Sequence, residues 1–341
     1  MINTVYRLVA PRRFEIAFED INLFGENAIV RPTYLSICNA DMRYYLGTRD
    51  AKVLAEKLPM ALIHEGVGEV FLDPTGTFKT GDKVVMVPNA PVEKDEFIAE
   101  NYLRSSKFCG SSMDGFLQEF VEISPKRLVK LPYDIDMTVA AFTEIVSVSV
   151  HAISRFDKIA HARRNTISVW GDGNLGYITS LFLKYHFPKS KIVVFGTSSD
   201  KLADFTFADE THLVNEVPDG FTTDHAFECV GGNGSPIAIE QIIGLIKPEG
   251  TISILGVSEY PVPINTRMIL EKGLNMFGSS RSGRADFERT VSLLAAHPEM
   301  SHYLENIVGD EIPVSSIADI HKAFRLDYSR NFGKTVMDWN K

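Results

Sequence analysis

The most restrictive feature of the sequence is a glycine motif, Gly171-Asp-Gly173-Asn-Leu-Gly176, directly after the apolar run 166–170. A strand, a GxGxxG loop and a helix in this order form the dinucleotide-binding unit of doubly wound domains. The three glycines permit, in turn, a tight turn, close approach of a pyrophosphate and close packing of helix on strand. Free N–H groups at the helix start then attract the phosphates. We therefore predict a bound dinucleotide contacted by Gly171, Gly173, Asn174, Leu175 and Gly176.

The chain from 146 to 283 alternates short apolar runs with helical patterns such as 175–185. The apolar runs are 166–170, 191–195, 212–214, 224–229, 251–255 and 274–277. Six strands that alternate with helices predict an α/β domain, a Rossmann domain with a doubly wound, parallel, six-stranded sheet.

The remaining chain has a different pattern. Residues 1–145 contain short strand-like runs, for example 28–32, 65–72 and 83–87, separated by glycine and proline turns. This pattern predicts a β-rich domain. The tail ends in a plausible strand at 333–339, which we expect to fold back onto the first domain. A length of 341 residues suits two domains, which we place at 1–145 with 284–341 and at 146–283.

Composition narrows the class of partner. Lys and Arg number 35 against 44 Asp and Glu, a net charge of −9 without a basic run, which argues against nucleic acid or an anionic membrane. Three scattered cysteines do not make a disulfide framework. No signal peptide is apparent at residues 1–15, and Glu144 and His151 interrupt the most apolar stretch. We expect a soluble, cytoplasmic enzyme.

The end of the second predicted strand bears on the choice of cofactor. Gly196 stands 20 residues after Gly176, where NAD-binding domains carry an acidic residue. Hydroxyls, a helix start and a cation suited to a 2′-phosphate follow at Thr197, Ser198, Ser199 and Lys201. We predict NADP(H). Alternatively, Ser198 or Ser199 only caps the helix, which is compatible with either cofactor. Asp172 would repel a pyrophosphate unless its side chain points away.

Three segments of the first domain offer metal ligands. Cys38, the pair His64 and Glu65, and Glu144 supply a thiolate, an imidazole and carboxylates. Such a set can hold zinc and leave one position for water or substrate. Taken singly, each residue has an ordinary structural role as well. Spacing alone leaves both interpretations open.

The order of motifs resembles the zinc-dependent medium-chain dehydrogenase/reductase superfamily. These motifs are Cys-x-x-Asp at 38–41, His-Glu-Gly-x-Gly at 64–68, Gly-Asp-Lys-Val-Val at 81–85, Glu with a following His-Ala at 144–152, and GxGxxG. The resemblance implies a GroES-like β-rich catalytic domain beside the Rossmann domain. Similarity to the polyol-dehydrogenase branch implies that zinc is held by Cys38, His64, Glu65 and Glu144, with Asp41 orienting the zinc histidine.

Two departures from that superfamily carry consequences. Many relatives hold a structural zinc in a four-cysteine lobe, but the corresponding region 89–113 contains only Cys109. The resemblance therefore implies one catalytic zinc and no structural zinc. Ala40 also replaces the Ser or Thr that relays a proton in many relatives. Zinc-bound water, Glu65, Glu144 and Tyr44 remain as alternative proton routes.

A closer resemblance links segments 29–38, 43–45, 170–176, 225–231, 255–259 and 278–283 to the ribulose-5-phosphate reductases (ribitol-5-phosphate 2-dehydrogenases). That family uses NADPH and supplies CDP-ribitol for wall teichoic acid or capsule. It implies reduction of D-ribulose 5-phosphate to D-ribitol 5-phosphate, a homodimer or homotetramer, and a cytidylyltransferase of the same pathway as a partner.

The substrate phosphate requires a cation besides zinc. Arg43 and Arg281 are the candidates, because arginine binds phosphate through two parallel hydrogen bonds; either residue can instead form an ordinary ion pair. Two other functions remain open at this point. One is dehydrogenation of an unphosphorylated polyol or secondary alcohol, and the other is a non-catalytic NADP(H)-binding sensor or scaffold.

Overall fold

A computed structural model of the chain describes residues 1–339 and 341. Contacts divide these residues into two compact units, Met1–Ser147 with Arg281–Lys341 and Val148–Ser280. The sequence predicts the boundaries at 145/146 and 283/284. The first observed boundary falls inside a helix, Thr143–Ile159.

The first unit is rich in short strands. Its strands are β1 Ile2–Ala10, β2 Arg13–Asp20, β3 Ala28–Ser36, β4 Met60–Ala61, β5 Glu65–Leu72, β6 Lys83–Met86, β7 Asn89–Ala90, β8 Lys107–Phe108, β9 Val121–Ile123, β10 Leu128–Lys130, β17 Val308–Pro313 and β18 Lys334–Asp338. Its helices are α1 Asn39–Leu46, α2 Ala51–Lys57, α3 Met137–Ala140, α9 Arg284–Ala296, α10 Pro298–Glu305 and α11 Ile317–Ser329, and α4 Thr143–Ile159 begins here.

Strand pairing in this unit brings distant segments together. The largest sheet has the order β10-β6-β5-β3-β18-β17, with β9 also paired to β3. Ser36, the last residue of β3, lies opposite Glu65 on one side and Val336 of the C-terminal strand on the other. The C-terminal segment therefore folds back onto the first unit, as the sequence predicts. Cys38 follows Ser36 by two residues and Lys334 precedes Val336 by two, so this register gathers the ends of three strands.

The second unit contains the alternating elements. In chain order they are β11 Thr166–Trp170, α5 Asn174–His186, β12 Lys191–Gly196, α6 Ser199–Leu202, β13 Glu210–Leu213, β14 Thr223–Glu228, α7 Ser235–Leu245, β15 Ile246–Ile254, α8 Thr266–Lys272 and β16 Asn275–Gly278. All six strands pair in parallel in the order β13-β12-β11-β14-β15-β16. The predicted doubly wound sheet is confirmed. The strand order reverses at β11, the point at which such sheets bind their ligands.

A packed core fixes the glycine loop at this point. Trp170, at the end of β11, is fully buried, and its ring stacks on Phe195 of β12 at 4.5 Å. A Cβ on Gly176 would lie 2.0 Å from the carbonyl oxygen of Gly171, so only glycine allows α5 to approach the loop this closely. Among the residues described, no helix has the length and apolarity needed to cross a membrane.

Candidate metal and cofactor sites

A thiol, an imidazole and a carboxylate converge in the first unit. The ligand atoms of Cys38, His64 and Glu65 all lie within 4.8 Å of one another. Cys38 immediately precedes α1, and Glu65 is the first residue of β5 with His64 just before it. His64 and Glu65 are 5% and 0% exposed. The three donors therefore occupy the ends of elements, which the sheet register holds together.

Asp41 connects the two segments that carry these donors. Its Oδ2 accepts a hydrogen bond from the backbone N–H of Cys38 at 3.1 Å, and its Oδ1 accepts one from Ile63 at 2.9 Å. Oδ1 also lies 3.6 Å from Nδ1 of His64. This position suits the orienting role that the family resemblance implies for Asp41.

The ionisation of the thiol and the imidazole depends on burial and on neighbouring charges. Burial raises the pKa of Cys38, and the Glu65 carboxylate raises it further. Burial alone would lower the pKa of His64, but the Asp41 carboxylate outweighs it and holds that pKa well above its ordinary value. Both shifts favour the protonated forms, and binding of a divalent cation would require each ligand atom to lose its proton.

Lys334 is a member of this site that the sequence analysis missed. Its Nζ lies 2.7 Å from Oε2 of Glu65, and the two side chains are 3% and 0% exposed. Burial alone would lower the pKa of Lys334, but the Glu65 carboxylate outweighs it, so the pKa is raised. The signal in the sequence was a lysine at the start of the last strand, Lys334–Asp338. Nothing in the sequence indicates its partner, which lies 269 positions earlier.

Glu144 is the fourth predicted ligand and lies next to this group. It is 6% exposed in the first turn of α4, and it does not belong to the set of donors within 4.8 Å of one another. Burial raises its pKa to about 7, the His64 charge opposes this shift, and the Glu65 carboxylate adds to it. The Glu144 carboxyl group can therefore hold a proton near neutral pH, next to His64 and Glu65.

The residues present fit a zinc ion. Thiolate sulfur, imidazole nitrogen and carboxylate oxygen are the ligands of catalytic zinc sites. Oε1 of Glu65 is buried and has no hydrogen-bond partner among the described residues, and a cation would satisfy such an oxygen.

Arg281 faces the same group of residues. Its backbone adopts a φ of 58°, and its guanidinium lies over the ring of Phe108 at 4.5 Å. Burial lowers its pKa, while the Glu144 carboxylate and the Tyr44 hydroxyl oppose that shift. Tyr44 is 3% exposed. Arg43 precedes it on α1 and is partly buried.

The glycine loop of the second unit leaves room for a phosphate group. Gly173 immediately precedes α5, and a Cβ built on it would meet nothing within 4 Å. Asn174 and Leu175 form the first turn of α5, where free N–H groups favour anions. These are the features that the sequence predicts for a pyrophosphate site.

Asp172 points away from that open space, towards the end of β12. Its Oδ2 accepts hydrogen bonds from the backbone N–H groups of Thr197 at 2.6 Å and Ser198 at 2.9 Å, and from Oγ1 of Thr197 at 3.1 Å. A Cβ on Gly196 would lie 2.6 Å from Cβ of Asp172. The carboxylate thus occupies the space that a side chain at 196 would need. Because it points away from the glycine loop, it would not repel a pyrophosphate bound there.

These hydrogen bonds change the roles of the residues predicted to hold a 2′-phosphate. The backbone N–H groups of Thr197 and Ser198 already donate hydrogen bonds to Asp172. Oγ of Ser198 caps α6, because it accepts a hydrogen bond from the N–H of Lys201 at 3.4 Å. Ser198 therefore does cap the helix, the alternative left open above. The hydroxyl of Ser199 and the ammonium of Lys201 are the better donors for a phosphate.

The fold and the donor set define a zinc-type medium-chain dehydrogenase. Residues 25–133 match the alcohol dehydrogenase GroES-like domain, and residues 188–296 match the zinc-binding dehydrogenase domain. The chain is 55% identical to a ribulose-5-phosphate reductase of Bacillus spizizenii and 53% identical to ribulose-5-phosphate reductase 1 of Staphylococcus aureus, over 99% of each chain. The chain belongs to the ribulose-5-phosphate reductase family of zinc-dependent medium-chain dehydrogenases.

A solved structure agrees with this assignment. The crystal structure of S. aureus TarJ in complex with NADPH covers 100% of both chains at 49% identity, with a TM-score of 0.91. L-Idonate 5-dehydrogenase from Escherichia coli has the same fold at 19% identity, with a TM-score of 0.86.

Proposed function

We propose that this chain reduces D-ribulose 5-phosphate to D-ribitol 5-phosphate with NADPH. The observation that carries the proposal is full-length identity above 50% to relatives named ribulose-5-phosphate reductase, joined to a Cys38, His64 and Glu65 donor group in which the imidazole and the carboxylate are buried. The TarJ structure with NADPH supports the choice of cofactor. A product that feeds CDP-ribitol synthesis for wall teichoic acid or capsule remains a prediction from the resemblance.

A bound zinc ion would supply a Lewis acid for the substrate carbonyl. Cys38 and His64 provide its sulfur and nitrogen ligands, and Glu65 and Glu144 provide the carboxylates. Lys334 pairs with Oε2 of Glu65, and Oε1 of the same carboxylate has no hydrogen-bond partner among the described residues, so it would be available to the metal. Asp41 keeps the Cys38 and His64 segments in place. When it is not bound to the metal, the Glu144 carboxyl group, whose pKa burial raises to about 7, would hold a proton for transfer to or from the substrate oxygen.

The test of the function is NADPH oxidation at 340 nm with D-ribulose 5-phosphate, with and without a strong zinc chelator. We expect turnover that the chelator abolishes and that falls sharply with NADH or with unphosphorylated ribulose. Equal activity on ribulose would favour a general polyol dehydrogenase. Binding of NADPH without turnover, in protein shown to contain zinc, would favour a sensor or scaffold.

Arg281 is our assignment for the substrate phosphate, because its cation lies beside Glu144 and Tyr44. A charge-assisted hydrogen bond contributes about 1.5–3 kcal/mol, and 1.4 kcal/mol is tenfold in affinity. Arg281→Gln should therefore raise KM for D-ribulose 5-phosphate about tenfold or more and leave the slow reaction with ribulose unchanged. Arg281→Lys is the matched control, since it keeps the positive charge and loses the two parallel hydrogen-bond donors of the guanidinium group. An equal loss on both substrates would contradict the assignment and leave Arg43 as the candidate.

Cofactor preference should not switch through a single change at position 196. An aspartate there would collide with Asp172 and place two carboxylates together, so we expect Gly196→Asp to weaken NADPH and NADH binding alike. Combining it with Asp172→Gly frees the space. The new carboxylate can then accept a hydrogen bond from the ribose 2′-hydroxyl of NAD. The double variant should prefer NADH when Kd is measured by nicotinamide fluorescence. A clean switch in the single variant would show that Asp172 moves aside without cost.

The compartment, the oligomeric state and the partner enzyme remain predictions. We propose a cytoplasmic reaction, a homodimer or homotetramer, and a cytidylyltransferase as the enzyme that takes up the product. Mass measurement in solution and co-purification test the last two.

A further inference from the structure

A cavity lined by cationic side chains lies at the C-terminal end of the α1 helix. It has a volume of about 610 Å³ and is lined by Arg12, Tyr45, Leu46, His321, Arg325 and Tyr328. This volume is within the range of small-molecule sites, about 300–1,000 Å³. Tyr45 lies seven residues after Cys38, or about 10 Å along a helix. None of the residues assigned to the zinc or the cofactor lines the cavity.

The charge of this cavity is uncompensated. Its lining contains two arginines and a histidine and, within residues 1–339 and 341, no carboxylate. Neither Arg12 nor Arg325 forms an ion pair with any residue that the structure describes. Other arginines of the same unit do, for example Arg127 with Glu100 at 2.6 Å and Arg13 with Glu15 at 2.5 Å. Arg12 and Arg325 are both exposed to solvent, so an anion can reach them without displacing a carboxylate of the lining.

The floor of the cavity is rigid and orders its donors. The Tyr45 ring packs on Phe324 at 4.6 Å and on Phe14 at 6.0 Å. Its hydroxyl lies 3.0 Å from Nδ1 of His321. Burial and the charge of Arg325 both lower the pKa of His321. When neutral His321 accepts a hydrogen bond from the Tyr45 hydroxyl at Nδ1, its own proton is on Nε2. That N–H can then donate a hydrogen bond to a ligand.

We propose that this cavity binds a small phosphate-bearing anion at a site separate from the zinc centre. The guanidinium groups of Arg12 and Arg325 supply paired donors to phosphate oxygens, and Nε2 of His321 supplies a third. Tyr328, which is 65% exposed, offers a ring face at the rim for the remainder of the ligand.

The probe for this proposal is inorganic phosphate, titrated into zinc-loaded enzyme saturated with NADP⁺. The ring signals of the histidines are followed by NMR, and His321→Gln identifies the signal of interest. We expect a saturable shift of the His321 signal with phosphate that sodium chloride at equal ionic strength does not reproduce. Arg325→Gln and Arg12→Asn should each weaken this binding about tenfold; asparagine suits the φ of 60° at position 12.

Two controls separate the proposal from simpler explanations. Arg13→Gln removes a neighbouring arginine that is already paired, and it should leave the phosphate response unchanged. Arg281→Gln should leave it unchanged as well, whereas its effect on the substrate KM tests the proposed function independently. An equal loss in Arg13→Gln would reduce the effect to general surface charge. Loss of the His321 response in Arg281→Gln, or no response beyond that to chloride, would overturn the proposal.

Discussion

Replacing Cys38 with serine, or His64 with alanine, should abolish turnover of D-ribulose 5-phosphate and leave NADPH binding almost unchanged. Each change removes one of the four proposed ligands, and one of the three donors that lie within 4.8 Å of one another, so we expect the variant to lose zinc. A catalytic metal contributes several kcal/mol to charge stabilisation, and 1.36 kcal/mol is tenfold in rate. We expect kcat to fall at least about a thousandfold. Zinc content per chain, kcat and the Kd for NADPH are the measurements.

Cys109 offers a matched control for that experiment. Like Cys38 it is a free cysteine of the first unit, but it is buried and does not belong to the donor group. Burial raises its pKa to about 12, which is typical of an inert structural thiol. Cys109→Ala should retain zinc and activity. Full activity in zinc-free Cys38→Ser protein would refute the proposed role of the metal.

Lys334→Met should destabilise the protein by about 3–5 kcal/mol, the range observed when one partner of a buried ion pair is removed. The remaining Glu65 carboxylate is 0% exposed and would lose the cation 2.7 Å away. Urea unfolding of chelator-treated protein measures this loss directly. In zinc-loaded protein the loss should be smaller, because the metal then provides the counter-charge for Glu65.

Two further variants test this explanation. In the double variant Lys334→Met, Glu65→Gln, the unpaired charge is absent, and most of the lost stability should return. Lys130→Met removes a lysine with the same 2.7 Å contact to Asp82, but that lysine is 61% exposed, and exposed pairs contribute about 0–1 kcal/mol. Equal losses for Lys334→Met and Lys130→Met would show that burial of the pair is not the cause.

The cofactor unit could be predicted closely because its signals are local. The strand at 166–170 is observed with the predicted bounds, and the helix predicted at 175–185 extends from Asn174 to His186. Short apolar runs, the glycine spacing and the alternation of strand and helix are all properties of neighbouring residues. The signal is strongest in β12, where the apolar run 192–195 is fully buried, as is typical of a parallel strand covered on both faces.

The metal-competent residues were found by a different route. Spacing alone left Cys38, His64 and Glu144 with ordinary structural alternatives, and only the order of motifs along the chain, shared with a known family, selected them. The structure adds the distances and the electrostatic reasons. It also shows that Asp172 fills the space beside Gly196, a contact between residues 24 positions apart that no local pattern reveals.

The sequence by itself predicted two units, the parallel sheet and the glycine loop, and its family resemblance selected Cys38 and His64 as candidate metal ligands. Tertiary structure alone decided that Lys334 pairs with Glu65, that Asp172 occupies the N–H groups of Thr197 and Ser198, and that Arg12 meets Arg325 at one cavity. The physical reason is the range of the interactions. Helices, turns and apolar strands depend on residues a few positions apart, whereas a buried charge finds its partner only through the register of strands that are hundreds of residues apart in the chain.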